Sequence, residues 1–448
     1  MLDPASASDT LASLIDQARR SGADAADAVY VGDRSTSVGV RMGALEDVSR
    51  AEGQEIGLRL FVGQRNAAVA SSDLSRDSLA ALVERALAMA REAPEDRYAG
   101  LAPDDLLMAR AAAELDLDDC GDPDPAALRQ RAETAEDAAR AVAGITNSNG
   151  ASASATASTF ALATSHGFIG ATRATGYSCS ASVVAGSGAD MQRDYGWHSA
   201  RHLADLEAPE DIGRRAGQRA AARLNPVRVK AGPMPILFDP RVATTLLGHF
   251  VGAISGAAIT RQASFLLDAL GAQLFARGVT IRDDPSRPRG LRSRAFDGEG
   301  LPVAASDLVA DGVLTTWLAD SAAARQLGIA PTGHAVRGVS GAPGAGPSNL
   351  VMQPGPRSRE DMVAGISNGI LVTELIGQGV NGVTGDYSRG AAGFLIVNGE
   401  IGPAVSEITI ASNLKTMFAE LEPASDLHLR RGVDSPTLLV PQMMVASA

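Results

Sequence analysis

The sequence predicts an α+β protein, with an N-terminal helix and antiparallel-sheet part and a C-terminal mixed β-rich part. Three observations predict it. Apolar residues recur at helical spacing near the N-terminus and again from Leu79 to Ala86, with alternating strand-like runs between them. Small residues alternate with polar ones through residues 145–200. Beyond residue 232, short β-branched runs are separated by glycine-rich turns.

Each element follows from its residues. Leu11, Leu14, Ile15 and Ala18 place a helix over residues 8–21, stopped by Gly22. Ala28–Val31 and Ser37–Val40 read as short strands. Ile56, Leu58, Leu60 and Val62 alternate along a third, which turns at Gly63-Gln64 and returns antiparallel through Ala67–Ala70. Ser75 caps a second helix carrying Leu79, Leu82, Val83 and Ala86, which ends before Pro94. Residues 103–124 carry eight carboxylates against Arg110, a net −7, and read as a solvated connector. Asp116–Gly121 lacks the closing Glu of a calcium loop. Asp124-Pro125 opens a helix that Gly144 ends. Asn149-Gly150 is a hairpin-turn signal. A helix over residues 209–223 presents Arg214, Arg215, Arg219 and Arg223 as a charged, exposed face. Ile236–Phe238 reads as a buried strand and Pro240–Ala258 as a helix. Residues 301–318 read as a hairpin about Asp311-Gly312, and residues 371–376 and 394–401 as strands.

Composition narrows the function. The 448 residues suit two to three domains, with 40 basic against 52 acidic residues and a net charge of −12. That balance argues against a nucleic-acid binder, which needs a basic face. Cys120 and Cys179 are too few for a disulfide framework, which fits a reducing compartment. There is no apolar run of about 18 residues for a membrane span. Met1-Leu2-Asp3-Pro4 has no basic region followed by an apolar core. The expected location is the cytoplasm.

The candidate chemistry is sparse. Of six histidines, only His198 and His202 have helical spacing, and the Glu of a His-Glu-x-x-His helix is missing between them. Gly365-Ile366-Ser367-Asn368-Gly369 matches a nucleophile elbow, but it lies between a helix and a following strand, the reverse of the order that motif needs. Gly341–Gly346 lacks the Lys-Ser/Thr ending of a phosphate loop. Cys120, set among carboxylates, and Cys179 both read as inert. One stretch stands apart. Residues 377–399 hold so many glycines that an ordinary strand pair would be weakened by about 0.5–1 kcal/mol at each. A backbone needed for close approach to a partner chain or peptide explains them, with Thr384, Asp386 and Ser388 as the polar edge.

At this stretch the chain resembles the TldD/PmbA family, once labelled modulators of DNA gyrase. Val380–Ala391, Asn398–Ile401 and Glu407–Leu414 look like the family's C-terminal signature, with Met191–Tyr195 and Leu266–Gly271 upstream. The resemblance spans essentially the whole chain. It implies one of two branches. The TldD branch binds zinc through a His-Glu-x-x-x-His helix and a C-terminal Cys; the PmbA branch, also called TldE, lacks both and pairs with TldD. Here the corresponding helix reads His249–Ala258, with no second His and no Glu, and Gly432–Pro441 offers no Cys. The resemblance therefore implies a chain with no catalytic residue, no metal ligand and no cofactor of its own.

The expected function is the non-catalytic subunit of a cytosolic zinc metalloprotease, a hydrolase complex that processes or degrades unstructured peptides. Its expected partner is a TldD-like, zinc-bearing subunit in a heterodimer, and the isolated chain could pair with itself as a homodimer. No nucleic acid and no membrane is expected. The expected peptide- or partner-binding residues are Gly379, Asn381, Thr384, Gly385, Asp386, Ser388 and Gly390, facing a degenerate zinc-helix region at His249, Gly252 and Ser255. Two alternatives are an autonomous peptidase with an unrecognised site and a purely regulatory binding protein. The expected division is residues 1–100 as an N-terminal α+β domain and 101–231 as its continuation through the acidic connector. Residues 232–448 form a C-terminal domain, metalloprotease-like but without metal ligands.

Overall fold

The computed structural model describes residues 1–109 and 114–447; residues 110–113 of the acidic connector and Ala448 lie outside the described residues. One antiparallel sheet organises residues 25–200. Its strands are β1 (Ala25–Arg41), β2 (Ala44–Val62), β3 (Arg65–Ser71), β4 (Ile145–Thr164), β5 (Ile169–Ala185) and β6 (Gln192–Ala200). They lie in the order β3-β2-β1-β4-β5-β6.

Four helices cover one face of this sheet. Helices α1 (Pro4–Arg20) and α2 (Arg76–Glu92) pack on Ala26, Ala28, Tyr30, Ile56, Leu58 and Leu60 at one end. Helices α3 (Pro125–Arg140) and α4 (Pro209–Ala222) cover Val38, Val40, Ala151, Ala153, Cys179 and Ala181 at the other. Residues two apart on a strand share a face, so the alternating alanines of β4 all point to the helices, Ala151, Ala153 and Ala155 under this second pair and Ala161 and Ala163 under the first. Small side chains let the helices sit low. At Gly213 of α4 an added Cβ would lie 2.0 Å from the carbonyl oxygen of Ala135 in α3.

The C-terminal part is built on a closed, mixed barrel. Its strands are β7 (Gly232–Phe238), β8 (Asn368–Ile376), β9 (Asp386–Val397), β10 (Glu400–Asn413) and β11 (Leu438–Ser447). The order is β10-β9-β8-β7-β11, and β10 pairs again with β11 to close the ring. Only β7 and β8 run parallel among these pairs. A second, five-stranded sheet includes Ile281–Asp283 and Leu350–Met352. Helix α5 (Pro240–Ala253) buries Leu246, Leu247 and Phe250 against this core.

The uncovered face of the N-terminal sheet docks on the C-terminal part. Val29 and Leu162 join Phe168 and Phe296 in a cluster that Val339 packs against. The approach is close at Gly57 of β2, where a Cβ would lie 1.9 Å from the carbonyl oxygen of Val339.

Several local expectations are corrected. The first helix starts at Pro4, not residue 8, because Asp3 accepts from the Ala5 and Ser6 amides as N-cap. The two short strands at 28–31 and 37–40 are one strand, β1. Asn149-Gly150 is not a hairpin turn but a register shift inside β4; the chain reverses instead around Gly167, at φ +97°. Residues 394–401 are not one strand. They contain the turn between β9 and β10, with Asn398 and Gly399 both at positive φ (51° and 84°), as a tight primed turn requires. The 301–318 hairpin shrinks to Ser306–Ala310 and Val313–Leu314 about Asp311-Gly312. Helix α5 stops at Ala253, and Ser255 caps a separate short helix, α6 (Gly256–Thr260). The acidic connector is not simply solvated. Leu115 and Leu117 are buried, and Asp119 accepts from the Tyr177 hydroxyl at 2.5 Å and the Leu203 amide at 3.0 Å. Nor is the α4 arginine row simply an exposed face. Arg214 is exposed, but Arg223 pairs with buried Asp194 and with Glu374 of β8.

One buried acid yields a pH prediction. Glu299 is 5% exposed and accepts from the Ser321 amide at 2.8 Å and its hydroxyl at 2.7 Å. Burial pushes its carboxyl up to about 7, against hydrogen bonds from Ser321 that lower it. The folded protein then holds a proton that the unfolded chain releases. The stability from this group is full below its ordinary value of 4.5 and is lost as pH rises through about 7. Glu299→Gln is expected to flatten the fall in unfolding free energy between those pH values, read by urea denaturation at a series of pH values. An unchanged slope would overturn it.

Candidate functional site

The two residue groups singled out in the sequence meet in one groove. Helix α5 turns its apolar face inward, which leaves Gly248, His249 and Gly252 on the side away from the core. Opposite them stand Gln378, Val380 and Gly382, from the segment leading into β9. Phe265 and Leu414 also line the cavity, of about 360 Å³. An adjoining hollow, lined by Gly379, Asn381, Asp386, Tyr387 and Ser388, shares Gln378, Val380 and Gly382 with it. Ser255 lies apart: its hydroxyl donates to the Gly252 carbonyl at 3.0 Å and caps α6. Gly390 sits further along β9, paired with Ile376 and Thr409.

The segment 377–386 is held by its own polar groups. Asn381 accepts from the Val383 amide at 2.9 Å and the Thr384 amide at 3.2 Å, and its amide donates to the Asp386 carbonyl. The Gly385 backbone is left-handed, at φ +83°, where any Cβ is strained. Asp386 accepts from the Thr384 hydroxyl at 2.7 Å and from Asn413 at 3.1 Å; those bonds, Thr384's first, hold its carboxyl below the usual range. The Phe265 amide donates to the Gly382 carbonyl at 3.0 Å and fastens the segment to the groove floor.

The glycines divide into two kinds. At Gly379 a Cβ would lie 1.9 Å from the Ser388 carbonyl oxygen, and at Gly393 the same distance from that of Leu371. Those close approaches are made within the chain. At Gly248, Gly252 and Gly382 an added Cβ would meet nothing within 4 Å. Nothing inside the chain requires glycine there.

Alternation along β9 adds two residues that the sequence reading did not select. Tyr387 and Arg389 point inward and are buried, whereas Asp386 and Ser388 point out. The period of two in the quoted stretch carried that signal. His249 stands edge-on to Tyr387, with ring centroids 6.1 Å apart. The His249 Nε2, the Tyr387 hydroxyl and the Arg389 Nε are all buried without a hydrogen-bond partner. Burial first, and the Arg389 charge second, push the His249 imidazolium below its ordinary value. Burial pushes the Tyr387 phenol up to about 12. The groove therefore presents a neutral imidazole.

These residues do not fit a zinc ion. A catalytic zinc takes about three protein ligands, and His249 is the sole His, Cys, Asp or Glu among the residues lining the cavity beside α5. The Arg389 cation behind it opposes a second positive charge. Among the described residues, no group of three such side chains is placed to hold a metal. His198 and His202 are not on a helix: His198 is in β6, and His202 reaches Asp116. The Gly365–Gly369 motif runs from a helix, Arg359–Ala364, into β8, so Ser367 is not on a nucleophile elbow. Cys179 is buried, and burial lifts its thiol to about 11.

Comparison with known proteins bears on the whole chain. The three parts described as PmbA/TldA metallopeptidase domain 1, central domain and C-terminal domain match residues 26–90, 118–224 and 231–447. The chain is 38% identical to Metalloprotease PmbA of Escherichia coli O157:H7, over 92% of this chain and 89% of that one. The chain belongs to the PmbA/TldD metallopeptidase family. Within it, the Metalloprotease PmbA homolog of Haemophilus influenzae is 35% identical over the same shares of the two chains, 92% and 89%. A solved Bacteroides thetaiotaomicron structure, named for modulation of DNA gyrase, has a TM-score of 0.91 at 26% identity, covering 98% of each chain. TldE from Thermococcus kodakarensis shares the fold, with a TM-score of 0.88 at 20% identity over 98% of this chain and 100% of that one. No helix among the described residues is long and apolar enough to cross a membrane.

Proposed function

We propose that this chain is the non-catalytic, PmbA/TldE-like subunit of a cytosolic metalloprotease complex. Its partner is a TldD-like subunit that carries the zinc, and its substrates are unstructured peptides. One observation carries the reading: Gly248 and Gly252 sit on the open side of α5, beside an unpartnered His249, with no atom of this chain near enough to require them. Glycine inside a helix costs about 0.8–1 kcal/mol relative to alanine. A backbone from outside the chain, in a partner subunit or an extended peptide, accounts for that cost. The outward residues Asn381, Asp386 and Ser388 line the adjoining hollow, Thr384 bonds to Asp386 beside it, and Gly379, Gly385 and Gly390 shape the strand and turn that present them. A donor set without zinc ligands supports assigning the hydrolytic step to the partner.

The test is an assay on an unfolded peptide. The purified chain alone is expected to be inactive; mixed with a zinc-bearing relative of the same family, it is expected to give chelator-sensitive cleavage faster than that relative alone. Robust cleavage by the isolated chain would sink the proposal. A second expectation concerns the glycines. Gly248→Ala with Gly252→Ala should stabilise the isolated chain by up to about 1 kcal/mol per site, read by urea denaturation. The same variant should cleave peptide at least tenfold more slowly in the mixture. Unchanged cleavage would leave those glycines without an external partner.

A further inference from the structure

A second cleft lies where α4, α5 and the segment 426–435 converge, with a volume of about 390 Å³. Its walls carry six guanidinium groups, from Arg215, Arg219, Arg241, Arg359, Arg430 and Arg431. Four of them are neutralised in place. Arg215 lies 2.6 Å from Glu207, which Arg430 also contacts; Arg241 lies 2.8 Å from Asp194, and Arg359 lies 3.6 Å from Asp239. The other two are not. Among the described residues, neither Arg219 nor Arg431 has a carboxylate within 4.0 Å. Arg219 reaches only the Tyr195 carbonyl, at 3.4 Å, and Arg431 lies over the Trp197 ring, 5.1 Å from its centroid.

Three of the four acids in the cleft already hold hydrogen bonds or ion pairs. Asp434 accepts from the Arg430 and Arg431 amides at 3.1 and 3.0 Å, and Asp426 from the Thr437 amide and hydroxyl at 2.8 and 2.6 Å. Asp239 caps α5. Glu360 is exposed in the first turn of its helix. Two half-buried cations thus face one cavity without a carboxylate in contact; Asp194 and Asp239 act on Arg219, and Asp434 on Arg431, only at longer range. Burial lowers both guanidinium groups, Arg219 to about 10, and the Arg241 charge adds to the effect on Arg219.

A neighbouring cavity of about 400 Å³ shares Arg219, Asp239, Arg241 and Arg359 with this cleft, is also lined by Asp194, and continues over Leu371, Phe394 and Ile401. The site therefore has an arginine-rich end, in which Asp194 and Asp239 are paired with Arg241 and Arg359, and an apolar end. An inorganic anion would leave the apolar end unused, whereas a carboxylate on a chain with apolar neighbours fills both. The planar guanidinium fork matches a carboxylate with two parallel hydrogen bonds.

We propose that this cleft anchors acidic peptides. Arg219 and Arg431 take a side-chain or terminal carboxylate, and Leu371, Phe394 and Ile401 take the adjacent apolar side chain. The inference rests on the peptide-handling role proposed above and names the class of peptide the chain selects.

The test is fluorescence anisotropy of a labelled peptide of alternating Glu and Leu, titrated with the full-length chain. Saturable binding is expected, weakened at least tenfold when the peptide's Glu residues become Gln. The Arg219→Gln, Arg431→Gln double variant should weaken it by a similar factor, and the Lys versions of both should retain part of it. Because neither arginine has a carboxylate partner, the double variant should keep the wild-type melting temperature. Equal binding of the Glu and Gln peptides would overturn the proposal. So would displacement by inorganic phosphate at concentrations equal to the peptide's, which would make the cleft a small-anion site. The titration uses this chain alone. If the mixed-subunit assay fails while the titration succeeds, the subunit reading falls and the acidic site stands; the reverse result removes only the site.

Discussion

Replacing Asp27 with Ala is expected to lower the free energy of unfolding by about 3–5 kcal/mol, the range for removing one partner of a buried ion pair. Asp27 is 3% exposed on β1. One carboxylate oxygen accepts from the Arg59 Nε at 2.7 Å; the other accepts from the Arg337 Nε at 3.1 Å and Nη2 at 2.9 Å. Both arginines are buried as well. Alanine would leave two guanidinium groups in a low-dielectric interior without their paired carboxylate, and that desolvation makes the loss large. Arg337 comes from the C-terminal part, so the same change should loosen its hold on the N-terminal sheet. A contrast isolates the cause. Glu133→Ala removes an exposed pair with Arg129 one helical turn away and should cost no more than about 0.5 kcal/mol. Urea denaturation of the two variants checks both values. An Asp27→Ala variant within about 1 kcal/mol of wild type would refute the argument from burial.

Phe418→Ala is expected to cost about 3–5 kcal/mol, the range for truncating a buried aromatic. Phe418 is 1% exposed and stacks on Phe275, with centroids 4.8 Å apart; Phe250 and Phe265 stand 6.3 and 6.2 Å away. Those contacts tie its short helix, Leu414–Glu420, to α5 and to the groove floor. The cavity left behind should free α5 as well as destabilise the chain. Phe418→Leu, which keeps most of the volume, should lose substantially less. Equal losses for the two variants would show that cavity volume is not the controlling quantity.

The elements legible in the sequence are those whose signal is local. Ser75, Asp124 and the prolines that follow or end helices fix helix limits through backbone groups a few residues away, and the structure places α2 and α3 as those residues indicate. The apolar stripe Leu11–Leu14–Ile15–Ala18 is buried as its spacing requires. The Asn-Gly turn signal was ambiguous for a physical reason. Both Asn149-Gly150 and Asn398-Gly399 allow positive φ, but only the second lies between strands that can pair directly across it. Local chemistry permits a turn; pairing partners decide whether there is one.

The candidate groove was half legible. The excess of glycine in residues 377–393 marked the segment, yet some of those glycines serve contacts inside the chain, as Gly379 does with Ser388. The unexplained glycines, Gly248 and Gly252, are on a helix 125 or more residues earlier, and nothing in sequence spacing joins them to Gly382. The arginine row of residues 209–223 reads as an exposed face for the same reason: Arg219 meets Arg431 only because two distant segments pack together.

By itself, the sequence determined the α+β class, the helix caps, the alternating buried faces and the lack of a zinc-ligand set on α5. These depend on residue type and on neighbours within about one turn or one strand pair. Only the tertiary structure decided that one sheet spans residues 25–200, that five strands close into a barrel and that Asp27 meets Arg337 across 310 positions. Those features depend on burial and on charge compensation between distant segments, which exist only once the chain has collapsed.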